Sequence, residues 1–490
     1  MRQHWKFWVR SVIFAAILSV LLVEVNRILT PKFYYDNQWP TTSGYKGFYR
    51  MPENSVDVLF LGSSHAASAF NPQIFFNEYG IKSYNLGCEQ QSLLTSYYWL
   101  REALRFQSPK AVILDTYMVF PYIENEPLNS EESCTRKAFD CMKWSGVKYD
   151  AVQDICRYDQ SQSLSSYFFP NIRYHTRWTN LSEDDFTFAE KEEHYELKGY
   201  VPFAEYGSNI NYLPFKTGNL NDRVEMFPLM QEYLDKIVDL CASEGIMLIL
   251  VKTPATSESV AMYNTLSDYA DQKGISFMDF NEEGLFYECG FDFAENMKDN
   301  WHSNIWGAEK LSSYMASVLY GRLETYSHDF SEEWEDTDSY YQNILHDCAM
   351  THIMDICAYL EAVRQERYTI LIAGRKDISG LPDEVLQKFR ELGLEMDYGT
   401  ADSYFASIHE GMIEEESSPE RLLCYGSTRN RRTDYCIVSV GGISGTQDMA
   451  SILIDNEEYA KNGIGINLVV YSNDTGKVVD SVCYNGDLLR

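Results

Sequence analysis

Five short runs of nearly unbroken apolar residues, set between longer amphipathic stretches, place the tightest constraint on how this chain can fold. They are Val56–Gly62, Ser83–Gly87, Ala111–Tyr117, Ile246–Pro254 and Ser276–Phe280. A strand that is apolar on both faces is one covered on both faces, which is the condition of a parallel sheet flanked by helices. The stretches Leu93–Arg105, Val224–Ser243, Val260–Gln272 and Ala308–Tyr320 carry apolar residues at helical spacing and supply the covering layers. The alternation predicts a doubly wound α/β domain.

One crossover breaks the rhythm. Residues 119–221, between the third and fourth runs, are rich in Tyr, Asp, Glu and Asn without a clear period. A structureless loop of that length is improbable inside a compact domain, so the stretch is expected to form an inserted subdomain or lid beside the site. An acidic connector and helix are expected over 327–365. A second alternating α/β region follows over 366–490: a strand at YTILIAG, a helix at LPDEVLQKFRELG ending at Gly393, and a terminal hairpin turning at Asn473–Gly476.

The N-terminus differs from the rest. Arg2, Lys6 and Arg10 precede an apolar run from Ser11 to Val25, short for a spanning helix, with no small-residue cleavage site after it. Residues 1–30 therefore read as a cytoplasmic tail and an uncleaved signal-anchor transmembrane helix. The basic flank stays inside, which puts the chain from about Pro31 onward on the extracytoplasmic side of the cell membrane.

The formal charge of −31 argues against a nucleic-acid partner. Eleven cysteines are an odd number, so at least one cannot pair within the chain. Cys134 and Cys141 are a candidate local disulfide if the exported chain is oxidised; a reduced setting leaves all eleven as small apolar residues. There is no Walker loop, no GxGxxG and no metal-ligand spacing, so neither a cofactor nor a metal is expected.

The chemistry concentrates at two places. Leu61-Gly62-Ser63-Ser64-His65 ends the first strand, at the edge where open α/β sheets place their ligands. Far downstream, Asp299 and His302 stand just before the last helix of the domain. A serine hydroxyl becomes a nucleophile when a histidine accepts its proton and a carboxylate fixes that histidine's tautomer. The residues themselves leave open whether Ser63 or Ser64 attacks, and whether His65 or His302 is the base.

The two blocks together resemble the SGNH (GDSL-type) hydrolase superfamily. Its first block carries the nucleophile and its last, Asp-x-x-His, the acid and base. The Gly-Ser-Ser variant, the anchor and the outward-facing domain are similar to its DltD-like, membrane-anchored acyl-transfer branch. The resemblance spans roughly 56–320 and implies a flavodoxin-like α/β/α domain over 31–326. It also implies a catalytic triad of Ser64, His302 and Asp299, with an oxyanion hole formed by the backbone N–H groups of Ser64 and Gly87. On that match Ser63 and His65 line the turn. The third block, Gly-x-Asn-Asp, is missing: the chain reads Leu114-Asp115-Thr116-Tyr117 there.

From about Arg367 the chain resembles the interleukin-like EMT inducer (ILEI/PANDER) domain, which implies a recognition module. The combined expectation is an extracytoplasmic serine esterase or O-acyltransferase acting on cell-surface polysaccharide or wall polymer through an acyl-serine, with a membrane acyltransferase as partner. The alternative is a noncatalytic surface glycan-binding or assembly protein on a degenerate SGNH scaffold.

Overall fold

The computed structural model describes residues 2–31, 41–181, 184–187, 195–207, 218–256, 259–323, 332–376, 380–396, 402–428, 433–441 and 448–490. The chain divides into two compact units, Met1–Asp338 and Ser339–Arg490.

In the first unit the five apolar runs form strands β1 (Val58–Leu61), β2 (Ser83–Asn85), β3 (Ala111–Asp115), β4 (Met247–Lys252) and β5 (Ser276–Asp279). They pair in parallel in the order β2-β1-β3-β4-β5, the doubly wound order of flavodoxin-like folds. The two-residue period of a strand divides their side chains between two cores. Leu59, Leu61, Val112, Leu114, Leu248 and Leu250 enter one cluster. Val58, Phe60, Ile113, Ile249 and Val251 enter the other. Each such burial contributes about 2 kcal/mol, which fixes the register of the sheet and hence where its carboxyl ends emerge.

The helix expected from Val224 instead spans Pro228–Glu244, because Pro228 serves as its first residue and Gly245 closes it in the left-handed conformation (φ 68). The crossover 119–221 contains helices Glu132–Cys141 and Gly146–Tyr158 and shorter turns up to Thr187 among its described residues. They escaped the sequence pattern because their buried faces are partly polar. Arg136 lies over the Tyr167 ring at 3.6 Å and pairs with Asp140 at 3.0 Å, and Asp154 accepts from both Tyr98 and Tyr233. Residues 188–194 and 208–217 of the insertion lie outside the described residues.

At the N-terminus a single helix, α1, runs from Arg2 to Leu29. The apolar run taken as Ser11–Val25 is thus part of a 25-residue stretch, Trp5–Leu29, long and apolar enough to cross a membrane; about twenty residues suffice for that.

The second unit departs from the expected α/β alternation. All pairings among its described strands are antiparallel: a six-stranded sheet in the order β15 (Leu488–Leu489), β14 (Lys477–Tyr484), β13 (Gly465–Ser472), β6 (Tyr368–Arg375), β7 (Ser403–His409), β8 (Met412–Ser418), and a four-stranded one in the order β12 (Glu457–Glu458), β11 (Met449–Ile454), β10 (Asp434–Val440), β9 (Leu422–Ser427). Strand β6 (Tyr368–Arg375) shows the logic. Ile370 and Ile372 pack into a core with helices Ile356–Ala362 and Asp383–Glu391, whereas Leu371 and Ala373 face the four-stranded sheet with Ile437 and Ile452. The terminal hairpin forms as expected from β13 (Gly465–Ser472) and β14 (Lys477–Tyr484), with Ser472 opposite Lys477. The acidic stretch expected as a connector is helical from Glu332 to Met350; residues 327–331 lie outside the described residues.

None of the eleven cysteines forms a disulfide. Cys134 and Cys141 stand at positions i and i+7 of one helix, about 10 Å apart along its axis. That exceeds the Cα separation of about 7 Å that a disulfide spans.

Candidate active site

The site is built on the turn that leaves β1. Gly62 adopts φ +135, and a Cβ there would stand 2.5 Å from the Asp115 Cβ. Only glycine combines that conformation with so close an approach. Ser63 then caps the helix Ser64–Ala69, its Oγ accepting from the His65 N–H at 3.3 Å.

Asp115 holds this turn from β3, two strands' ends meeting through one buried carboxylate. Its Oδ2 accepts from the Ser63 hydroxyl at 2.6 Å and the Ser63 N–H at 3.1 Å, and its Oδ1 from the Tyr117 N–H at 3.1 Å. Burial pushes the Asp115 carboxyl above its ordinary range, against the pull of the Ser63 and Tyr117 hydrogen bonds and Lys252. At the position of the missing third block, then, the chain carries a group that fixes the serine turn from below.

Ser64 opens the helix. Its Oγ lies 3.0 Å from His302 Nε2 although the two are 238 residues apart. His302 Nδ1 lies 2.8 Å from Asp299 Oδ2 and 2.9 Å from Oδ1. A carboxylate only accepts, so the proton sits on Nδ1 and leaves Nε2 free to take the Ser64 hydroxyl proton. The Asp299–His302 turn is itself clamped: Met297 pairs with Ser303, and the Lys298 N–H donates to the His302 carbonyl at 2.9 Å. Asn304 then caps the helix Ile305–Tyr320, and Ser312 on that helix bonds to both Asn71 and Ala69, docking it beside the serine turn. Burial raises the Asp299 carboxyl, but hydrogen bonds from the His302 ring and from the Trp301 and His302 N–H groups outweigh it and leave it below its ordinary range. Asp299 is therefore ionised at neutral pH.

The remaining expected residues fall as follows. His65 is buried, its Nδ1 3.1 Å from Thr253 Oγ1, and its ring is stacked on Tyr117 with centroids 3.7 Å apart. It lines the cavity, and the histidine nitrogen beside Ser64 Oγ is that of His302. Burial holds the His65 pKa well below the ordinary value, with His302 and Lys252 adding to the effect. A folded state that resists proton uptake keeps its full stability above about pH 6.5 and loses it as pH falls below that. Urea midpoints should accordingly drop between pH 7.5 and 5.5, and His65→Phe, which keeps the ring stack, should narrow that drop; an equal drop in both proteins would place the titration elsewhere.

Gly87 does not fit the role the family resemblance gave it. Its N–H donates to Asn85 Oδ1 at 2.9 Å, and the residue packs against the helix Ser64–Ala69, where a Cβ would meet the Ala67 nitrogen at 2.8 Å. The Asn85 side chain, which also donates to the Ala66 and Phe70 carbonyls, has taken that donor for structural use. The Ser64 N–H, by contrast, is a first-turn helix donor and bonds to no acceptor among the described residues.

A cavity of about 140 Å³ opens over Ser64 and His302, lined also by Glu89, Gln90, Tyr117, Met118 and Tyr122. Sequence reasoning missed these. Glu89 and Gln90 sit on the loop after β2 and tie the inserted subdomain to the rim: Glu89 pairs with Lys137 at 2.7 Å, and Gln90 Oε1 accepts from the Glu131 N–H at 3.0 Å. Gln90 has φ 48, an uncommon left-handed conformation for a residue of its kind. Among the described residues no group of three or more His, Cys, Asp and Glu side chains is placed to hold a metal ion.

No protein family and no curated protein matches the chain in sequence. Among solved structures it is similar to a candidate acylhydrolase of Bacteroides fragilis (13% identity, 57% of this chain and 95% of the other). It is also similar to a candidate lipolytic protein of the G-D-S-L family from Desulfitobacterium hafniense (13%, 54% and 100%) and a GDSL-like lipase of Bacteroides thetaiotaomicron (12%, 58% and 100%). Each superposes with a TM-score of 0.27, too low to bear on function.

Proposed function

We propose that the first unit is a serine esterase or O-acyltransferase of the SGNH type, anchored by α1 with its cavity outside the cell, acting on acyl esters of cell-surface polysaccharide or wall polymer. The observation that carries this is the continuous line Ser64 Oγ, His302, Asp299, spaced 3.0 Å and 2.8 Å and opening into a cavity. As His302 Nε2 takes its proton, Ser64 attacks the ester carbonyl, and Asp299 stabilises the imidazolium that results. In this reading the Ser64 N–H donates to the oxyanion. Collapse expels the alkoxide, which His302 protonates, and leaves an acyl-Ser64. Water or a sugar hydroxyl, deprotonated by the same nitrogen, then takes the acyl group.

The cavity volume favours a short acyl group over a long chain, since pockets for larger ligands run to about 300 Å³ and above. In this reading α1 keeps Arg2, Lys6 and Arg10 in the cytoplasm, a membrane acyltransferase supplies the acyl donor, and the second unit serves as an ILEI-like module that recognises glycan. A fluorophosphonate probe should label the full chain, and p-nitrophenyl acetate should be cleaved at least tenfold faster than the octanoate. Well-folded protein that takes no label would instead favour a noncatalytic binding protein. That second reading draws on the Gly87 N–H being engaged by Asn85 and on the missing third-block asparagine.

A further inference from the structure

The inserted subdomain carries a row of large apolar side chains that no part of the catalytic site uses. Phe168 is 46% exposed, Phe169 56%, Ile172 48% and Trp178 70%, and Trp144 stacks on Phe168 with ring centroids 4.2 Å apart. A water-soluble surface scatters such residues singly; a contiguous group marks a contact with something apolar. Their neighbourhood identifies it. The Asn171 N–H donates to Asn26 Oδ1 at 2.9 Å, and the Arg177 guanidinium donates to the Leu29 carbonyl at 2.7 Å. Both bonds fasten this segment to the last turn of α1. That end of the helix is also where polar residues return, with Glu24 and Arg27 paired at 3.7 Å. A helix of 28 residues is about 42 Å long, against a hydrocarbon core of about 30 Å, so its last turn emerges at headgroup level.

We infer that Phe168–Trp178 is a membrane-interface footing: its aromatic side chains enter the outer leaflet beside α1 and hold the inserted subdomain, and with it the cavity rim at Glu89 and Gln90, against the lipid surface. Trp is enriched at that depth because one part of its ring system is apolar and its N–H is wet, and Phe168, Phe169 and Ile172 add apolar area beside it. The cations of the segment are already satisfied, Arg173 by Glu132 and Arg177 by Asp185 at 2.9 Å. The footing therefore works by apolar insertion and has no need of anionic lipid. A consequence is that substrate reaches the site close to the membrane plane.

The inference rests on α1 spanning the bilayer, and one experiment separates the two. The full chain is reconstituted in vesicles of phosphatidylcholine brominated high on the acyl chain, and tryptophan quenching is compared with that in unbrominated vesicles. Trp5 and Trp8 lie in α1 and report on the anchor; Trp178 reports on the footing. Trp5→Phe with Trp8→Phe should remove part of the quenched emission, and so, separately, should Trp178→Phe. If the first pair changes nothing, α1 is not in lipid and the anchor fails. If the first pair reduces quenching and Trp178→Phe does not, the anchor stands and the footing is overturned. An emission from Trp178 that is blue-shifted yet unquenched would overturn it too, since another polypeptide, such as a second copy, would then cover the patch.

Discussion

Ser64→Ala should lose covalent labelling and lower ester turnover by a factor on the order of 10⁴ or more, with the urea midpoint unchanged. Among the described residues the hydroxyl makes one hydrogen bond, to His302 at 3.0 Å, and the helix cap is Ser63. Removing it deletes the proposed nucleophile and leaves the turn intact. His302→Ala should have an effect of similar size, because without Nε2 the hydroxyl has no base. Asp299→Asn should cost on the order of 10⁴ by a different route: the amide turns a donor toward Nδ1, and the imidazole adopts the wrong tautomer. The three losses should not add, since the residues act as a unit. Ser63→Ala is the discriminating control. It should destabilise by about 2–4 kcal/mol, through the lost cap and the lost hydrogen bond to the buried Asp115 carboxylate, and leave labelling on Ser64. Labelling lost with Ser63→Ala and kept with Ser64→Ala would reverse the assignment.

Gly62→Ala should damage fold and activity together, lowering stability by about 3 kcal/mol or more. Two costs coincide at this position. The conformation at φ +135 is one that a residue with a Cβ rarely adopts, and the new methyl would stand 2.5 Å from the Asp115 Cβ and 3.1 Å from its backbone nitrogen. The obstruction is the strand β3 itself, so Asp115→Ala, which keeps the Cβ, should give no relief. Any movement that admits the methyl carries Ser63 away from Asp115 Oδ2 and Ser64 away from His302. Denaturation midpoint and labelling rate should therefore fall in parallel; a protein that lost neither would show that the turn relaxes without moving its serine.

The parts of the molecule legible in the sequence are those fixed by local periodicity. Unbroken apolar residues in Val58–Leu61 and Ala111–Leu114 suit a strand covered on both faces, so the first unit's architecture and the positions of its strand ends follow from composition along a few residues. Ser64, His302 and Asp299 are not singled out by periodicity: the residues leave Ser63 and His65 open, and the choice comes from the resemblance of the Gly-Ser-Ser and Asp-x-x-His blocks to the SGNH superfamily. The second unit's alternation misled because an apolar run such as Tyr368–Arg375 is equally a strand between two helical layers or one between helices and a second sheet; only its partners tell. The helices of 132–158 were hidden because Arg136, Lys148 and Asp154 occupy inward positions that other segments satisfy.

Sequence by itself thus determined which side chains are available at the ends of β1 and before the last helix of the first unit, since both are written in short contiguous stretches. Tertiary structure alone decided how they are used. It gave Asp115 the work of holding the serine turn, took the Gly87 N–H for Asn85, and set the aromatic segment of the insertion beside the last turn of α1. Each of those outcomes depends on atoms brought within about 3 Å by the packing of distant segments, a condition that no local pattern of residues encodes.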